Sequence, residues 1–238
     1  MRKMYLSAPL PFVGQKRMLA KEFMKVLEQY PDGTLFVDLF GGSGLLSHIT
    51  KSLKPHSTVI YNDFDNYRFR MKHIPQTNQL LADIREMVGN SVPRHKIIKG
   101  ELRERIFSRI EQEENSTGYV DFITLSSSIL FSMKYKLSVQ DMRKEALYNN
   151  IRKTGYPECT DYLEGLEIVS CDYKEVFNRY KDIPGVVFLV DPPYLSTDVG
   201  TYNMYWNMAD YLDVLNVLKG HSYVYFCLLY TSPSPRDA

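Results

Sequence analysis

The chain has 238 residues, enough to bury a sizeable core, and its content of 44% hydrophobic and 24% charged residues is ordinary for a globular protein. No apolar run approaches the roughly 18 residues of a membrane-spanning helix, and the N-terminus lacks the apolar core of a signal peptide, so we expect a cytoplasmic protein without a membrane partner. Net charge is only +1, yet the segment from Phe64 to Glu158 holds 16 Lys/Arg against 12 Asp/Glu. This asymmetry favours a polyanionic partner only weakly, because solvated charged faces are common.

The first part of the chain alternates helix and strand signals. Leu19, Phe23, Val26 and Tyr30 recur at helical spacing. The run TLFVDLF then predicts a buried strand, which ends at the glycine-rich turn GGSG where the helix LLSHITKSL begins. A second strand, STVIYND, ends at Asp63.

A long stretch of different character follows. Helical periodicity appears in the segments QLLADIREMV, ELRERIFSRIEQ, DFITLSSSILFSM and SVQDMRKEALYNNI. Ser138 followed by Asp141 resembles a capping box at the start of the last of these helices. We interpret residues 64–158 as a predominantly helical, basic insertion.

The last part of the chain returns to the earlier alternation. Strands are predicted at LEIVSCD, GVVFLVD and HSYVYF, with helices at YKEVFNRY and MADYLDVLNVLKG between them. This β-α-β order predicts an α/β fold with a mostly parallel sheet and helices on both faces. Residues 1–63 and 159–226 would then form one discontinuous domain.

Three predicted strands end in a carboxylate, at Asp63, Asp172 and Asp191. Any single one of these acids is more often a helix cap or a turn residue. Because a doubly wound sheet binds its ligand at the carboxyl ends of its strands, the repetition indicates a shared crevice. The turn DLFGGSG points to the same edge, since glycine permits close backbone approach and the following helix offers free amides. It matches neither a phosphate loop nor the full G-x-G-x-x-G pattern, and a tight strand-to-helix turn explains it equally well when it is taken alone.

Five short motifs, PFVGQK, FVDLFGGSG, YND, SCDY and DPPY, occur in this order and resemble those of Dam-like DNA adenine-N6 methyltransferases, in which a target-recognition insertion precedes the catalytic motif. The resemblance covers Leu10 to Phe226 and is weakest through the insertion. It implies a Rossmann-like methyltransferase sheet, S-adenosyl-L-methionine as the cofactor, no metal, and double-stranded DNA as the substrate of a monomeric, site-specific enzyme of the kind found in restriction-modification systems.

The resemblance also implies a set of cofactor-binding residues: Phe12, Lys16, Asp38, Gly41, Gly42, Ser43, Gly44, Asp63, Asp172 and Tyr173. Lys16 would lie near the cofactor carboxylate, and the turn from Asp38 to Gly44 would hold the methionine moiety. Asp63 would accept hydrogen bonds from the ribose hydroxyls. Asp172 with Tyr173 would contact the adenine of the cofactor.

The catalytic residues implied by the DPPY motif are Asp191, Pro192, Pro193 and Tyr194. An adenine amine is a poor nucleophile because its lone pair is delocalised into the ring. Hydrogen bonds to the Asp191 carboxylate and the Pro192 carbonyl would localise that pair, and the prolines remove competing amide donors. Tyr194 would stack on the extruded base.

In the insertion, DNA phosphates would be contacted by basic side chains such as Arg94, Lys96, Arg103, Arg143 and Lys144.

Two other interpretations remain open. An RNA or protein-glutamine methyltransferase shares the sheet and a similar Pro-Pro-Tyr corner, although PFVGQK and the insertion argue against it. A non-catalytic DNA-binding remnant is the second, because the family sheet continues beyond HSYVYF with further strands, whereas residues 227–238 read CLLYTSPSPRDA. We interpret that segment as a tail foreign to the family, either artefactual or disordered, and expect an incomplete sheet of about five strands. Cys159, Cys171 and Cys227 have no metal-ligand spacing and are predicted to be reduced thiols.

Overall fold

The computed structural model describes residues 3–131, 134–193 and 208–226. In these ranges the strands are β1 (Phe36–Asp38), β2 (Val59–Asn62), β3 (Ile97–Ile98), β4 (Leu147–Tyr148), β5 (Glu167–Val169), β6 (Val187–Val190) and β7 (Ser222–Tyr225). The helices are α1 (Ala20–Glu28), α2 (Leu45–Leu53), α3 (Tyr67–Lys72), α4 (Ile74–Val88), α5 (Gly100–Thr117), α6 (Phe122–Ile129), α7 (Val139–Arg143), α8 (Tyr173–Tyr180) and α9 (Met208–Leu218).

Within the described residues, five strands form a parallel sheet in the order β5-β2-β1-β6-β7. Phe36 of β1 pairs with Val59 on one side and with Val187 on the other. The chain therefore leaves β1 toward β2 and later returns to the opposite side of β1 as β6. A crevice at such a switch point is where open α/β sheets bind ligands. The predicted α/β fold with a Rossmann-like sheet is confirmed.

The sheet is buried on both faces because its central strands are continuously apolar. Successive residues point to opposite sides, so Phe36 and Val187 pack against α1 and α2, whereas Val37 and Phe188 pack against α8 and α9. All four residues of β6 are buried. This double burial explains why these strands read as unbroken apolar runs rather than as alternating patterns.

The segment between β2 and β5 has a core of its own, to which α4, α5, α6 and α7 contribute residues such as Ile84, Phe107, Ile129 and Met142. The predicted cap at the start of α7 is confirmed, since the Ser138 hydroxyl accepts a hydrogen bond from the Asp141 amide at 3.1 Å.

The helix predicted across SVQDMRKEALYNNI is wrong beyond Arg143. The chain instead enters β4, whose Leu147 pairs antiparallel with Ile98 of β3. Pairing with β3 satisfies the backbone there, and the buried Leu147 side chain joins the insertion core. Helix α3 was not predicted at all.

Two further expectations concern the described part of the chain. Cys159 and Cys171 are free cysteines there, as predicted, while Cys227 and the rest of the 227–238 segment lie outside the described residues. No helix in the described ranges is long and apolar enough to cross a membrane.

Candidate functional site

A cavity of about 380 Å³ opens at the carboxyl edge of the sheet, within the size range of small-molecule sites. Most residues that the sequence assigned to the site line it: Phe12, Lys16, Gly41, Gly42, Ser43, Asp172, Tyr173, Asp191, Pro192 and Pro193. Asp38, Gly44 and Asp63 are not among the lining residues. Tyr194, the fourth residue assigned to catalysis, lies outside the described residues.

The glycine turn between β1 and α2 is closely packed. A Cβ atom on Gly41 would lie 2.3 Å from the Tyr61 ring, and one on Gly42 would lie 2.9 Å from the Phe12 ring. Gly44 adopts a φ of +70°, which disfavours any residue with a Cβ. The glycines therefore let backbone, rather than side chains, form this part of the cavity wall.

Asp38 ends β1 fully buried beneath that turn. The Ser47 hydroxyl donates a hydrogen bond to Asp38 Oδ2 at 2.6 Å. Oδ1 is buried and has no hydrogen-bond partner within the described residues. Loss of hydration raises the pKa of Asp38 from 3.8 to about 7, and the nearby Asp191 carboxylate adds to the rise. Ser47 was missed in the sequence, where nothing connects it with an acid nine residues earlier.

Asp191 follows β6 and forms an ion pair with Lys16. The Lys16 ammonium lies 2.6 Å from Asp191 Oδ2, and the two side chains are 7% and 16% exposed. Asp191 Oδ1 is buried and accepts no hydrogen bond from the described part of the chain. Burial raises the pKa of Asp191 to about 6, against the opposing effect of the Lys16 charge. The prediction that Lys16 lies near the cofactor carboxylate did not anticipate this pairing.

Next in the DPPY corner, the carbonyl of Pro193 accepts a hydrogen bond from the Tyr211 hydroxyl at 2.9 Å. That contact fixes the end of the corner against α9.

The two acids after β2 have different surroundings. Asp63 is 3% exposed, and its carboxylate accepts hydrogen bonds from the amides of Tyr67 at 2.6 Å and Arg68 at 3.1 Å, and from the Tyr61 hydroxyl at 3.0 Å. It therefore caps the first turn of α3. Asp65 lines the cavity instead. Although the residue as a whole is exposed, the protein around its carboxyl group reduces hydration and, together with the Asp63 charge, raises its pKa to about 6.

Asn62, the last residue of β2, joins three strand ends. Its side-chain amide donates to the carbonyls of Leu39 and Cys171, both at 2.9 Å, and its Oδ1 accepts from the Cys171 amide at 3.1 Å. The residue lines the cavity. Asn62 belongs to the motif YND, but no role was predicted for it, because its partners follow strands far apart in the chain.

After β5, Asp172 caps α8 by accepting a hydrogen bond from the Lys174 amide at 2.8 Å. The Tyr173 hydroxyl donates to Asp213 of α9 at 3.1 Å. The ring of Tyr173 packs against that of Phe40, with 4.9 Å between ring centroids. Both rings line the cavity, together with Phe64, which is 51% exposed.

Arg70 of α3 is a lining residue that the sequence did not reveal. Its side chain is held by Asp121 at 3.1 Å, by Thr124 Oγ1 at 3.1 Å and by the Pro11 carbonyl at 2.9 Å. The remaining nitrogen, Nη1, is buried without a hydrogen-bond partner in the described ranges. A guanidinium on the wall of a cavity attracts an anionic group of a ligand.

The basic side chains that were predicted to contact phosphates are largely engaged within the insertion. Arg143 pairs with Glu104 at 2.7 Å and Glu111 at 2.9 Å, and Lys144 pairs with Asp141 at 2.7 Å. Arg103 pairs with Glu104. Arg94 donates to the Ile151 carbonyl at 2.6 Å. Lys96 has no ion pair within the described residues.

Comparison with known proteins adds two findings. The family model described as D12 class N6 adenine-specific DNA methyltransferase matches residues 12–230. A protein of Haemophilus influenzae named "Putative methyltransferase" is 38% identical over 231 residues, which cover 94% of this chain and 77% of that protein. Both similarities extend through the sheet and through the insertion.

Proposed function

This chain belongs to the D12 class N6 adenine-specific DNA methyltransferase family, and from that premise we propose that it transfers a methyl group from S-adenosylmethionine to the N6 amine of an adenine in double-stranded DNA. The observation that carries the proposal is the corner at Asp191. It presents a buried carboxylate oxygen without a partner among the described residues, next to two prolines, on the wall of the same cavity as the glycine turn.

The residues of the cavity fit the charged tail of S-adenosylmethionine. Arg70 lines the cavity, and its Nη1 is a buried polar atom without a hydrogen-bond partner within the described residues. The amino-acid tail of the cofactor carries a carboxylate, to which Arg70 Nη1 would donate a hydrogen bond. An unpaired buried donor costs free energy, so a ligand that accepts from it recovers that free energy. Arg70 thereby takes the place that the sequence assigned to Lys16, whose ammonium is committed to Asp191.

For the nucleoside part of the cofactor, the proposal uses the ends of β2 and β5. The Asp65 carboxylate lines the cavity and would accept hydrogen bonds from the ribose hydroxyls, in place of Asp63. The adenine would lie among aromatic rings, with Phe64 and Tyr173 as its contacts. Bound in this way, the cofactor supplies a methyl group on a positively charged sulfur that a nucleophile displaces.

The protein's part in the reaction is to make the amine of adenine nucleophilic. Asp191 Oδ1 and the Pro192 carbonyl would each accept a hydrogen bond from the amine, which localises its lone pair. Neither proline carries an amide donor that competes for those acceptors. Much of the acceleration would come from positioning the amine for an in-line displacement. The Asp191 carboxylate is also placed to take the proton that the methylated amine loses.

The target base has to leave the DNA helix, since its amine otherwise lies inside the stack, at a cost of a few kcal/mol. We assign target recognition to residues 64–158 and the chemistry to residues 1–63 and 159–226. We propose that the protein acts as a monomer, because the described residues that line the cavity all belong to one copy of the chain. Because Arg103, Arg143 and Lys144 are ion-paired, phosphate contacts would depend more on charges such as Arg17, which follows Lys16 and is exposed.

The experiment that tests the proposed function supplies labelled S-adenosylmethionine and two duplexes, one that contains adenine and one built only from guanine and cytosine. The proposal expects label in the adenine-containing duplex alone. Asp191→Asn serves as the matched variant, because it keeps the shape of the corner and removes the charge. Equal labelling of both duplexes, or labelling that is indifferent to Asp191→Asn, would contradict the proposal.

A further inference from the structure

The buried Lys16 ammonium is held by groups that accept hydrogen bonds from it or carry the opposite charge. Gly14 adopts a φ of +77°, and the Lys16 ammonium donates to the Gly14 carbonyl at 2.7 Å. The Lys16 carbonyl in turn accepts a hydrogen bond from the Leu19 amide at 2.9 Å, just ahead of α1. The turn in PFVGQK thus directs the side chain inward, where only 7% of it remains exposed.

The two carboxylate oxygens of Asp191 are not equivalent, because the Lys16 ammonium pairs with Oδ2. Oδ2 lies 2.6 Å from Lys16 Nζ, whereas Oδ1 has no hydrogen-bond partner within the described residues. A carboxylate fixed at one oxygen cannot rotate without breaking its ion pair. Oδ1 is therefore the atom of Asp191 that remains for a donor from outside the protein.

The charges around Asp191 make Lys16 the group that favours its ionised form near neutral pH. Within the described residues, those that act on the site are the Lys16 ammonium from the N-terminal segment and the Asp38 carboxylate from the end of β1. In this part of the chain, two buried carboxylates thus share one cation. Lys16 lowers the pKa of both, while burial raises them.

We propose that Lys16 is a positioning residue for methyl transfer, which holds Asp191 by Oδ2 and so presents an ionised Oδ1 to the amine of the target adenine. The inference rests on the proposed function. It gives Lys16 a role in the acceptor half of the site rather than in cofactor binding. A purely structural ion pair would stabilise the fold without altering the ionisation or the orientation of a reacting group.

The test compares Lys16→Met with Lys25→Met, which removes an exposed lysine paired with Glu22 on α1. In cofactor-free protein, ¹³C NMR follows the titration of the Asp191 carboxyl, with its signal assigned by Asp191→Asn. Removing an opposite charge at this distance raises the pKa of an acid by about 1 to 3 units. We expect that rise in Lys16→Met and none in Lys25→Met.

Single-turnover methyl transfer gives the second readout. On the acid side of the pH-rate profile, the rate of the unchanged protein should fall to half near pH 6. In Lys16→Met this midpoint should move to a higher pH, so that the rate lost at neutral pH returns as pH rises. In an Asp191→Asn background, Lys16→Met should cause no further loss. Lys16→Arg keeps the positive charge, but its guanidinium can donate to both Oδ1 and Oδ2 of Asp191. This variant should therefore slow methyl transfer at every pH without shifting the pH at which the rate falls on the acid side.

Three results would overturn the inference: an Asp191 pKa that Lys16→Met leaves unchanged, an equal loss at all pH values in that variant, or an acid-side midpoint that moves in Lys16→Arg. If Lys16→Met does not fold, the Lys16→Arg profile decides the matter. If the unchanged protein methylates no DNA, the proposed function fails. The NMR titration would then still show whether Lys16 controls Asp191.

Discussion

The different roles of Asp63, which caps α3, and Asp65, which we propose binds the ribose, give the sharpest test of the cofactor pocket. Asp63 accepts hydrogen bonds from two amides and one hydroxyl. In Asp63→Asn the side-chain NH2 replaces one accepting oxygen, so at least one of these donors loses its acceptor. Losing a hydrogen bond to a charged group costs about 1.5 to 3 kcal/mol. For a chain of this size, each kcal/mol lowers Tm by roughly 2 to 4 °C, so we expect a fall of about 3 to 12 °C.

Asp65→Asn should act on binding rather than on folding. The acid lines the cavity and is exposed, and the neighbouring Asp63 charge disfavours its ionised form, so its charge does not stabilise the empty protein. We expect an unchanged or slightly higher Tm. Affinity for S-adenosylmethionine should fall by about 1.5 to 3 kcal/mol, or roughly 10- to 150-fold, as ribose loses a charged acceptor.

Titration calorimetry and thermal melts on both variants, side by side, decide between the two acids. The reasoning would be refuted if Asp63→Asn weakened binding at an unchanged Tm while Asp65→Asn bound the cofactor normally. In that case the ribose acid is Asp63, as the sequence motif implied, and the contacts of its carboxylate with α3 are secondary.

Three further predictions concern Asp38, Asp191 and Arg17. Burial raises the folded pKa of Asp38 from 3.8 to about 7, so between these pH values the folded protein binds more protons than the unfolded chain. The stability of the protein should therefore fall as pH rises from 3.8 to about 7, and Asp38→Asn should flatten a plot of Tm against pH. Asp191→Asn should slow methyl transfer by about 10² to 10³ while DNA affinity measured by fluorescence anisotropy changes little. Arg17→Gln should reduce the slope of log DNA affinity against log salt concentration by about 1. The double variant Arg143→Gln, Lys144→Gln should change that slope less, because both charges are already paired within the protein. Equal slopes for the two variants would contradict this assignment.

The sheet was predictable because its strands are apolar on both faces and end in polar residues. Continuous burial leaves a pattern in VFLV that length and β-branching identify. The short strands β3 and β4 leave no such pattern, since two residues cannot show a period. Helix α3 is also short, and its first turn depends on Asp63, which the sequence placed in a binding role.

The motifs predicted most of the residues that line the cavity, but not the partners of those residues. Lys16 and Asp191 are far apart in the chain, and only the fold brings them to 2.6 Å. The two acids after β2 differ in role because the backbone at Asn66 adopts a φ of +56°, which aims Asp63 at the α3 amides. Arg70 sits in a helix that the sequence did not predict, so nothing marked it as a cavity residue. The prediction for Tyr194 stays open, since it lies outside the described residues.

The central claim is that the Asp191 corner methylates the N6 amine of adenine in DNA. The most direct measurement is to incubate the protein with labelled S-adenosylmethionine and duplex DNA, digest the DNA to nucleosides and identify the labelled base by chromatography and mass. The account predicts N6-methyladenine, at a rate that Asp191→Asn lowers by about 10² to 10³. Label on the N4 amine of cytosine, on RNA or on protein, or N6-methyladenine formed equally well by Asp191→Asn, would contradict it.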